Sequence, residues 1–371
     1  MKIAIFTPYN IFKSGGVQEH VQAQTDILRS RGHTVFVVTP RPRNVKEVDA
    51  PDGVLFLGSS ARIKTPHATH SDISASVDNE AIDRLLGMDF DIVHVHEPMS
   101  PIVGRQLLIR AEGRAIRVGT FHAAMPGNML GKSLVSTFKS YAKSVAPHID
   151  VITAVSPAAI GYIQDFTELP IHYVPNGIIS KDYKPKNIPR DPSLIVFIGR
   201  LEKRKGAKMA IDAFRVLKDR KPDARLVIGG DGPLRESLEQ YVRDHEIDDV
   251  SFLGFISTDK KLELLNTCSI FTSPALYGES FGIVLAEALA MGAPIVCHPN
   301  DGYSWVMRDT GRLSLVDCTD ANAYADRMQL LMEDQSLQTV WQKWAKQYVE
   351  QFDYAKIVDQ YEAIYEEALK A

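Results

Sequence analysis

Glu279 and Glu287 stand eight residues apart in Tyr277-Gly278-Glu279-Ser280-Phe281-Gly282-Ile283-Val284-Leu285-Ala286-Glu287-Ala288-Leu289-Ala290, one at the mouth and one in the body of an apolar run. Paired carboxylates invite hydrolysis of a glycosidic bond, but such pairs sit about 5–9.5 Å apart. If the run is helical throughout, a rise of about 1.5 Å per residue separates these two by roughly 12 Å. That spacing suits two hydroxyl-rich groups at different ends of one ligand, such as a sugar and a ribose. The plainer reading is a first-turn glutamate favoured by the helix dipole and a structural acid in a core helix.

Other residue types in the chain could complete such a site. Gly199-Arg200-Leu201-Glu202-Lys203-Arg204-Lys205-Gly206 puts cations where a strand ends and a helix begins, a place suited to phosphate oxygens. A solvated charge run is the alternative. Ser14-Gly15-Gly16-Val17 precedes a helix, so backbone can approach a ligand closely and free N–H groups can meet an anion. A tight turn with no ligand fits the same residues. The pattern is not Gly-x-Gly-x-x-Gly, which argues against a nicotinamide or flavin. His122 closes the apolar stretch Val118–Phe121, at the strand end where a parallel sheet presents its ligand edge. His94 and His96 alternate along a strand ending at Pro98, which fits polar core or site-lining groups better than metal ligands. Asp89-Phe90-Asp91 has metal-motif spacing but leads straight into an apolar strand, where a turn role is expected. No metal is expected.

These residues need a framework of strands and helices to bring them together. At 371 residues the chain is too long for one ordinary core. Apolar strands alternate with helical stretches from Lys2 to about residue 180, and again from Leu194 onward, so an α/β protein with two parallel-sheet domains is expected. The first domain spans 1–180. A Lys-, Pro- and Asp-rich linker spans 181–193, and the second domain spans 194–350. Helices at about 320–350 and 354–369 close the chain. Gly127–Val145 is amphipathic, with Lys132, Lys139 and Lys143 opposite Leu130, Leu134, Phe138, Tyr141 and Val145. It is either an ordinary surface helix or a contact with anionic lipid, to which Arg62 and Lys64 in a Gly58–Pro66 loop would add.

Composition excludes several classes. A net charge of −4 argues against nucleic acid as the main partner, and no apolar run reaches the length of a membrane span. The opening Met1–Phe6 reads as a buried strand rather than a signal peptide, so a cytoplasmic chain is expected. Cys268, Cys297 and Cys318 are scattered and read as free core thiols.

Taken in order, Ser14-Gly15-Gly16, His122, Asn176-Gly177, Gly199-Arg200 with Lys205-Gly206, Gly230-Asp231-Gly232-Pro233, and Glu279 with Glu287 resemble the retaining glycosyltransferases of family 4, across nearly the whole chain. Pro8-Tyr9, Gly15–Gln18, His94–Pro98 and Gly278–Leu285 most resemble the phosphatidylinositol α-mannosyltransferases within it. The resemblance implies the GT-B architecture, two Rossmann-like domains facing across a cleft, with a final helix (about 352–371) crossing back to the first. It implies a nucleotide-diphosphate sugar as donor, GDP-mannose favoured, and a lipid or glycolipid acceptor such as phosphatidylinositol. It also implies peripheral contact with the inner face of the cell membrane, and no cofactor or metal.

By position, the Gly15-Gly16 backbone would meet the donor diphosphate, with Arg200 and Lys205 clamping it. Glu279 would hold the transferred hexose and Glu287 the ribose, Phe281, Gly282 and Ile283 would help bind the donor, and His122 would line the reacting sugar. Tyr9, Gln18, Arg62, Lys64 and Lys132 would serve the acceptor. Front-face substitution with retention is the mechanism the family implies. Asp78–Arg84 is mostly acidic where these enzymes tend to carry a basic helix, which shifts the expected lipid contact to Lys132, Lys139 and Lys143. The Arg200–Lys205 loop is also a residue shorter than expected. The alternatives are a UDP-glucose-dependent α-glucosyltransferase acting on diacylglycerol or a soluble acceptor, and a catalytically silent nucleotide-sugar-binding protein.

Overall fold

The computed structural model describes residues 1–43, 50–63, 71–74, 76, 79–100, 103–124, 132–161 and 163–371. Two compact units emerge, Met1–Gly177 with Tyr354–Ala371, and Ile178–Asp353. Each is an α/β unit built on a mainly parallel sheet, the class expected from the alternation of strands and helices.

In unit 1 the sheet order is β4-β3-β2-β1-β5-β6-β7-β8. The strands are β1 (Lys2–Phe6), β2 (Thr34–Arg41), β3 (Val54–Ile63), β4 (Ser71–Ser74), β5 (Ile92–His96), β6 (Ile116–Phe121), β7 (Val151–Ala154) and β8 (Ile171–Tyr173). All neighbours run parallel except β3 and β4, where Arg62 pairs with Asp72. The expected Gly58–Pro66 loop is therefore strand as far as Ile63, because β4 supplies an antiparallel partner that the local sequence does not announce. Lys64 lies outside the described residues. Asp91 takes the expected turn role, accepting a hydrogen bond from the Lys2 backbone N–H at 2.6 Å.

The core of unit 1 lies between sheet and helices. Ile3, Ile5, Val35, Val37, Ile92 and Val118 meet Val21 and Leu28 of α1 (Gly16–Ser30). The same core takes in Tyr354, Ile357, Val358, Tyr361 and Tyr365 of the last helix (Tyr354–Ala368), which therefore belongs to this unit. Arg31 at the end of α1 bridges Asp359 at 2.8 Å, and His33 meets Glu362 at 2.7 Å.

Unit 2 carries the all-parallel order β11-β10-β9-β12-β13. These strands are β9 (Asp191–Ile198), β10 (Arg225–Gly229), β11 (Val250–Gly254), β12 (Cys268–Ser273) and β13 (Ile295–Cys297). The three thiols are free and buried, as their apolar settings suggested. The stretch 181–190 has no apolar period, yet it is fixed to unit 2 by polar contacts. Arg190 donates to the carbonyls of Leu265, Cys268 and Met291, and the Lys186 N–H donates to Asn266. The first strand of the unit begins at Asp191, three residues before the apolar run. The helical stretch at 320–350 is broken at Asp334, whose carboxylate caps the helix Gln335–Tyr348 by accepting from Ser336 and Leu337 N–H.

Tyr365 is fully buried, and its hydroxyl links Gln24 (2.9 Å) and His94 (2.6 Å). Tyr365→Ala is expected to destabilise unit 1 by about 3–5 kcal/mol, the range for deleting a buried aromatic ring. Tyr365→Phe, losing the hydroxyl alone, should cost about 1–3 kcal/mol. Hydrogen exchange of β5 and β6 amides measures both, and equal protection in all three proteins would show that the last helix does not stabilise this sheet.

Candidate active site

In unit 2 the site is built by loops at the carboxyl ends of the strands. The loop after β12 runs through Pro274–Gly282 into the helix Ile283–Ala290, so Glu279 precedes the helix and Glu287 lies within it. The continuous helix behind the 12 Å spacing is absent, because Gly278 (φ 75°) and Gly282 (φ 90°) take left-handed backbone. A Cβ at Gly282 would lie 2.4 Å from the Tyr303 ring, so that position admits no side chain. Asn300 fastens the loop by donating to the Ala275 carbonyl at 2.6 Å, and Tyr303 bonds Ser273 at 2.8 Å.

The loop after β9 meets it. Glu279 Oε1 accepts from Arg204 Nη1 at 2.5 Å and from Lys205 Nζ at 2.7 Å. Glu202 holds Arg204 at 3.2 Å and Arg200 at 2.9 Å, so five alternating charges line the edge. Burial pushes the Glu279 carboxyl up, but the charges and hydrogen bonds of Lys205 and Arg204 outweigh it and hold its pKa below the ordinary value. Gly230 and Gly232 let the loop after β10 support this edge. A Cβ at Gly230 would stand 1.9 Å from the Gly199 carbonyl oxygen, and one at Gly232 2.7 Å from that of Leu201.

Glu287 belongs to a different cluster, accepting from Tyr183 at 2.8 Å and from Lys261. Phe281, expected to touch the ligand, turns its side chain into the core against Phe352 (centroids 5.3 Å). Arg204, Glu202, Tyr183, Lys261 and Tyr303 were not singled out by sequence reasoning. Arg204 stood inside the basic loop already read, but nothing in its spacing distinguished it from Lys203.

In unit 1 the strand ends of β5 and β6 carry His96 and His122, and α1 brings His20 against them. Ring centroids are 5.0 Å apart for His20 and His122, 5.4 Å for His20 and His96, and 5.1 Å for His96 and His122. His96 Nδ1 and His122 Nε2 are hydrogen-bonded at 2.8 Å. His94 is satisfied on both sides, by Tyr365 (2.6 Å) and Thr120 (2.5 Å), as expected of a polar core residue. Glu97, in left-handed backbone (φ 53°), accepts the His122 backbone N–H at 2.8 Å and so fixes the turn that carries it.

Burial lowers the pKa of His20 to about 4 and of His94 to about 3, and takes His96 and His122 well below the ordinary value. Burial also raises Glu97 to about 7, against the hydrogen bonds it receives from the backbone of His122 and Ala123. The ring nitrogens of His20, His96 and His122 lie within 4.8 Å of one another, making this trio the one group among the described residues that could hold a metal ion. The mutual hydrogen bond of His96 and His122 already accounts for the closeness of those two rings. His20 was missed in the sequence; its position four residues after Gly16, with Gln24 four further on, puts both on one helix face.

Gly15 opens α1 in extended backbone, and a Cβ there would lie 2.4 Å from Gln18 Oε1, so the Gln18 side chain folds over the glycine. Tyr9 bridges Ile73 of β4. Arg62 is placed in β3, and Lys132 opens the helix Lys132–Val145; their side chains lie outside the described residues. On that helix Lys139 pairs with Asp165 at 2.8 Å, which offsets part of its charge, while Lys143 is exposed. Among the described residues no helix is long and apolar enough to cross a membrane.

Two outcomes follow from these charges. All three tryptophans (Trp305, Trp341, Trp344) lie in unit 2, so their fluorescence reports that unit. Arg204→Met removes one of the two cations on Glu279, raises its pKa, and should cost about 1.5–3 kcal/mol in urea unfolding followed by tryptophan emission. Unit 1 should lose stability as pH falls. Each histidine is depressed on folding, so its contribution is present above about 6.5 and lost as pH drops toward the folded value. Glu97 is raised and acts oppositely, its contribution being present at low pH and lost as pH rises through about 7. Between pH 7.5 and 5.5 each buried histidine should cost about 1 kcal/mol and Glu97 should offset roughly one of them. Hydrogen exchange of β5 and β6 across this range reads the net loss, and protection unchanged at pH 5.5 would contradict neutral burial.

The family model described as Glycosyltransferase Family 4 matches residues 14–181, and that described as Glycosyl transferases group 1 matches residues 179–348. The chain is 30% identical to the phosphatidyl-myo-inositol mannosyltransferase of Mycobacterium tuberculosis (strain ATCC 25618 / H37Rv) over 382 residues, covering 99% of this chain and 97% of that protein. It is 29% identical to the protein of the same name from Mycolicibacterium smegmatis, covering 99% and 94%. Among solved structures, sucrose-phosphate synthase from Thermosynechococcus elongatus superposes with a TM-score of 0.74 at 19% identity, covering 99% of this chain and 98% of that one. A glycosyltransferase from Rickettsia africae superposes at 0.76 and 18% identity, covering 100% and 98%. With both sheets, their order of elements and this kinship in agreement, the chain belongs to glycosyltransferase family 4 and is a hexosyltransferase of the GT-B fold.

Proposed function

We propose that this enzyme transfers an α-hexose, mannose in preference, from a nucleotide-diphosphate sugar, GDP-mannose in preference, to a lipid acceptor such as phosphatidylinositol at the inner face of the cell membrane, with retention of configuration. The observation that carries the donor half is the Glu279 carboxylate held by Lys205 and Arg204 at the sheet edge of unit 2. A carboxylate kept ionised below its ordinary pKa accepts hydrogen bonds from sugar hydroxyls, while the cations beside it attract diphosphate oxygens. The acceptor half is supported by the kinship with the mycobacterial phosphatidyl-myo-inositol mannosyltransferases and by the basic helix Lys132–Val145.

In this reading Arg200 and Lys205 meet the diphosphate, Glu279 the hexose hydroxyls, and Glu287 the ribose. Gly15 and Gly16 offer backbone N–H groups to the same diphosphate, and His122 borders the reacting sugar. Tyr9, Gln18, Arg62, Lys64 and Lys132 serve the acceptor. The bond from the anomeric carbon to the phosphate oxygen breaks as the acceptor oxygen bonds to that carbon from the same face. The acceptor proton passes to the departing phosphate. Negative charge grows on the leaving diphosphate, so Arg200 and Lys205 stabilise the transition state more than the bound donor.

Incubation with radiolabelled GDP-mannose and phosphatidylinositol vesicles should yield a labelled lipid, and Glu279→Gln should lower kcat/KM about 100-fold or more. GDP should raise the melting temperature more than UDP at equal concentration. A larger shift with UDP, together with glucose transfer to diacylglycerol, would move the assignment to a glucosyltransferase. No labelled product with any hexose donor or inositol lipid would remove the lipid acceptor from the reading.

A further inference from the structure

The chemistry of His122 depends on which of its ring nitrogens carries the proton, and the neighbouring rings decide that. His96 is fully buried and His122 nearly so, and burial drives both toward neutrality, so each carries one ring proton. His96 Nδ1 shares a hydrogen bond with His122 Nε2, whereas His96 Nε2 is buried with no hydrogen-bond partner among the described residues. A proton on Nε2 would bury a donor with nothing to accept it. With the proton on Nδ1, only a bare lone pair is left unpaired. Buried unsatisfied N–H groups are rarer and costlier than under-satisfied acceptors. His96 is therefore the donor and His122 Nε2 the acceptor, which leaves the His122 proton on Nδ1.

We propose that His96 is a positioning residue that locks His122 in the Nδ1–H tautomer, so that His122 meets the donor sugar as a hydrogen-bond donor rather than as a base. The surroundings hold His96 in this pose. Its ring stacks on His94 with centroids 4.2 Å apart, and His94 is itself pinned by Tyr365 and Thr120. His20 closes the other side edge-on, with its Nε2 3.3 Å from the Tyr361 hydroxyl. The groups named here belong to β5, β6, α1 and the last helix of unit 1, and Asn176, in the loop after β8, also faces the rings of His20 and His122. An Nδ1–H on His122 suits an oxygen acceptor, either a hydroxyl of the transferred sugar or an oxygen gaining negative charge. The catalytic consequence rests on the function proposed above; the tautomer does not.

The full chain labelled with ¹⁵N-histidine, examined at pH 7.5 by long-range ¹H–¹⁵N correlation, tests this directly, with His122 assigned by its loss in His122→Asn. The wild-type protein should show His122 as the Nδ1–H tautomer, and finding Nε2–H there overturns the inference without any further variant. His96→Leu should release His122 to the other tautomer or a mixture, and should lower kcat at least tenfold with a smaller change in donor KM. His96→Asn keeps an amide N–H close to where Nδ1–H stood, so it should restore the Nδ1–H tautomer and most of the lost kcat. His96→Gln, whose amide reaches the Nε2 position, should not. A His122 tautomer unaltered in folded His96→Leu also overturns the inference. Loss of all sugar transfer with the tautomer pattern as expected would count against the proposed function and leave this assignment standing.

Discussion

The ion-paired contact of Glu279 with Lys205 and Arg204 is what the rest of unit 2 is arranged to hold. Three ionic groups at a sheet edge are costly to desolvate unless each is matched, and here each cation and each carboxylate has an opposite partner within hydrogen-bond reach. The loops that carry them touch directly, since the Leu276 N–H donates to the Arg204 carbonyl at 2.9 Å. That contact is possible because Gly206 sits in left-handed backbone with its α-carbon against the Pro274 carbonyl, where a Cβ would stand 2.4 Å away. Gly230 and Gly232 do the same on the other flank. These glycines therefore bring charged side chains to one edge, and their conservation of space serves the carboxylate rather than the turns themselves.

Unit 1 solves the same burial problem by the opposite means. Where unit 2 keeps charges and matches them, unit 1 strips charge away. Its four clustered histidines are neutral because burial disfavours the cation and because each would repel the next. Hydroxyls of Thr120, Tyr361 and Tyr365 then pair with both ring nitrogens of His94 and with His20 Nε2, a task suited to groups that can donate or accept as needed. Since two of those hydroxyls come from the last helix, the end of the chain completes a polar network begun near residue 20.

Much of this was legible in the sequence, for physical reasons that can be named. Alternating apolar strands and helices give both parallel sheets, because a strand buried on both faces reads as a continuous apolar run. His122, Glu279, Arg200 and Lys205 are placed at strand ends, where open parallel sheets present their loops. What escaped depends on pairing across distance. The strand character of Gly58–Ile63 needs β4, and the docking of 181–190 on unit 2 needs Arg190 to find three backbone carbonyls. The polar company of Glu287 needs Tyr183 and Lys261, separated from it by 104 and 26 residues. No periodicity encodes such contacts. The inward turn of Phe281 likewise follows from Phe352 and Trp305, not from its own neighbours.

Under the function proposed above, the contrast between the two units bears on how a glycosyl donor is handled. A leaving diphosphate accumulates negative charge, and fixed cations held by carboxylates are already oriented for it, so little reorganisation is needed as the bond breaks. The reacting carbon gains positive character, and an imidazolium beside it would oppose that change. A histidine kept neutral by burial does not, and it can still donate one hydrogen bond from a chosen nitrogen. Charge matched at the sheet edge of unit 2 and charge suppressed in the histidine cluster of unit 1 are thus two separate ways of keeping ionisable groups at strand ends without leaving a buried charge unpaired.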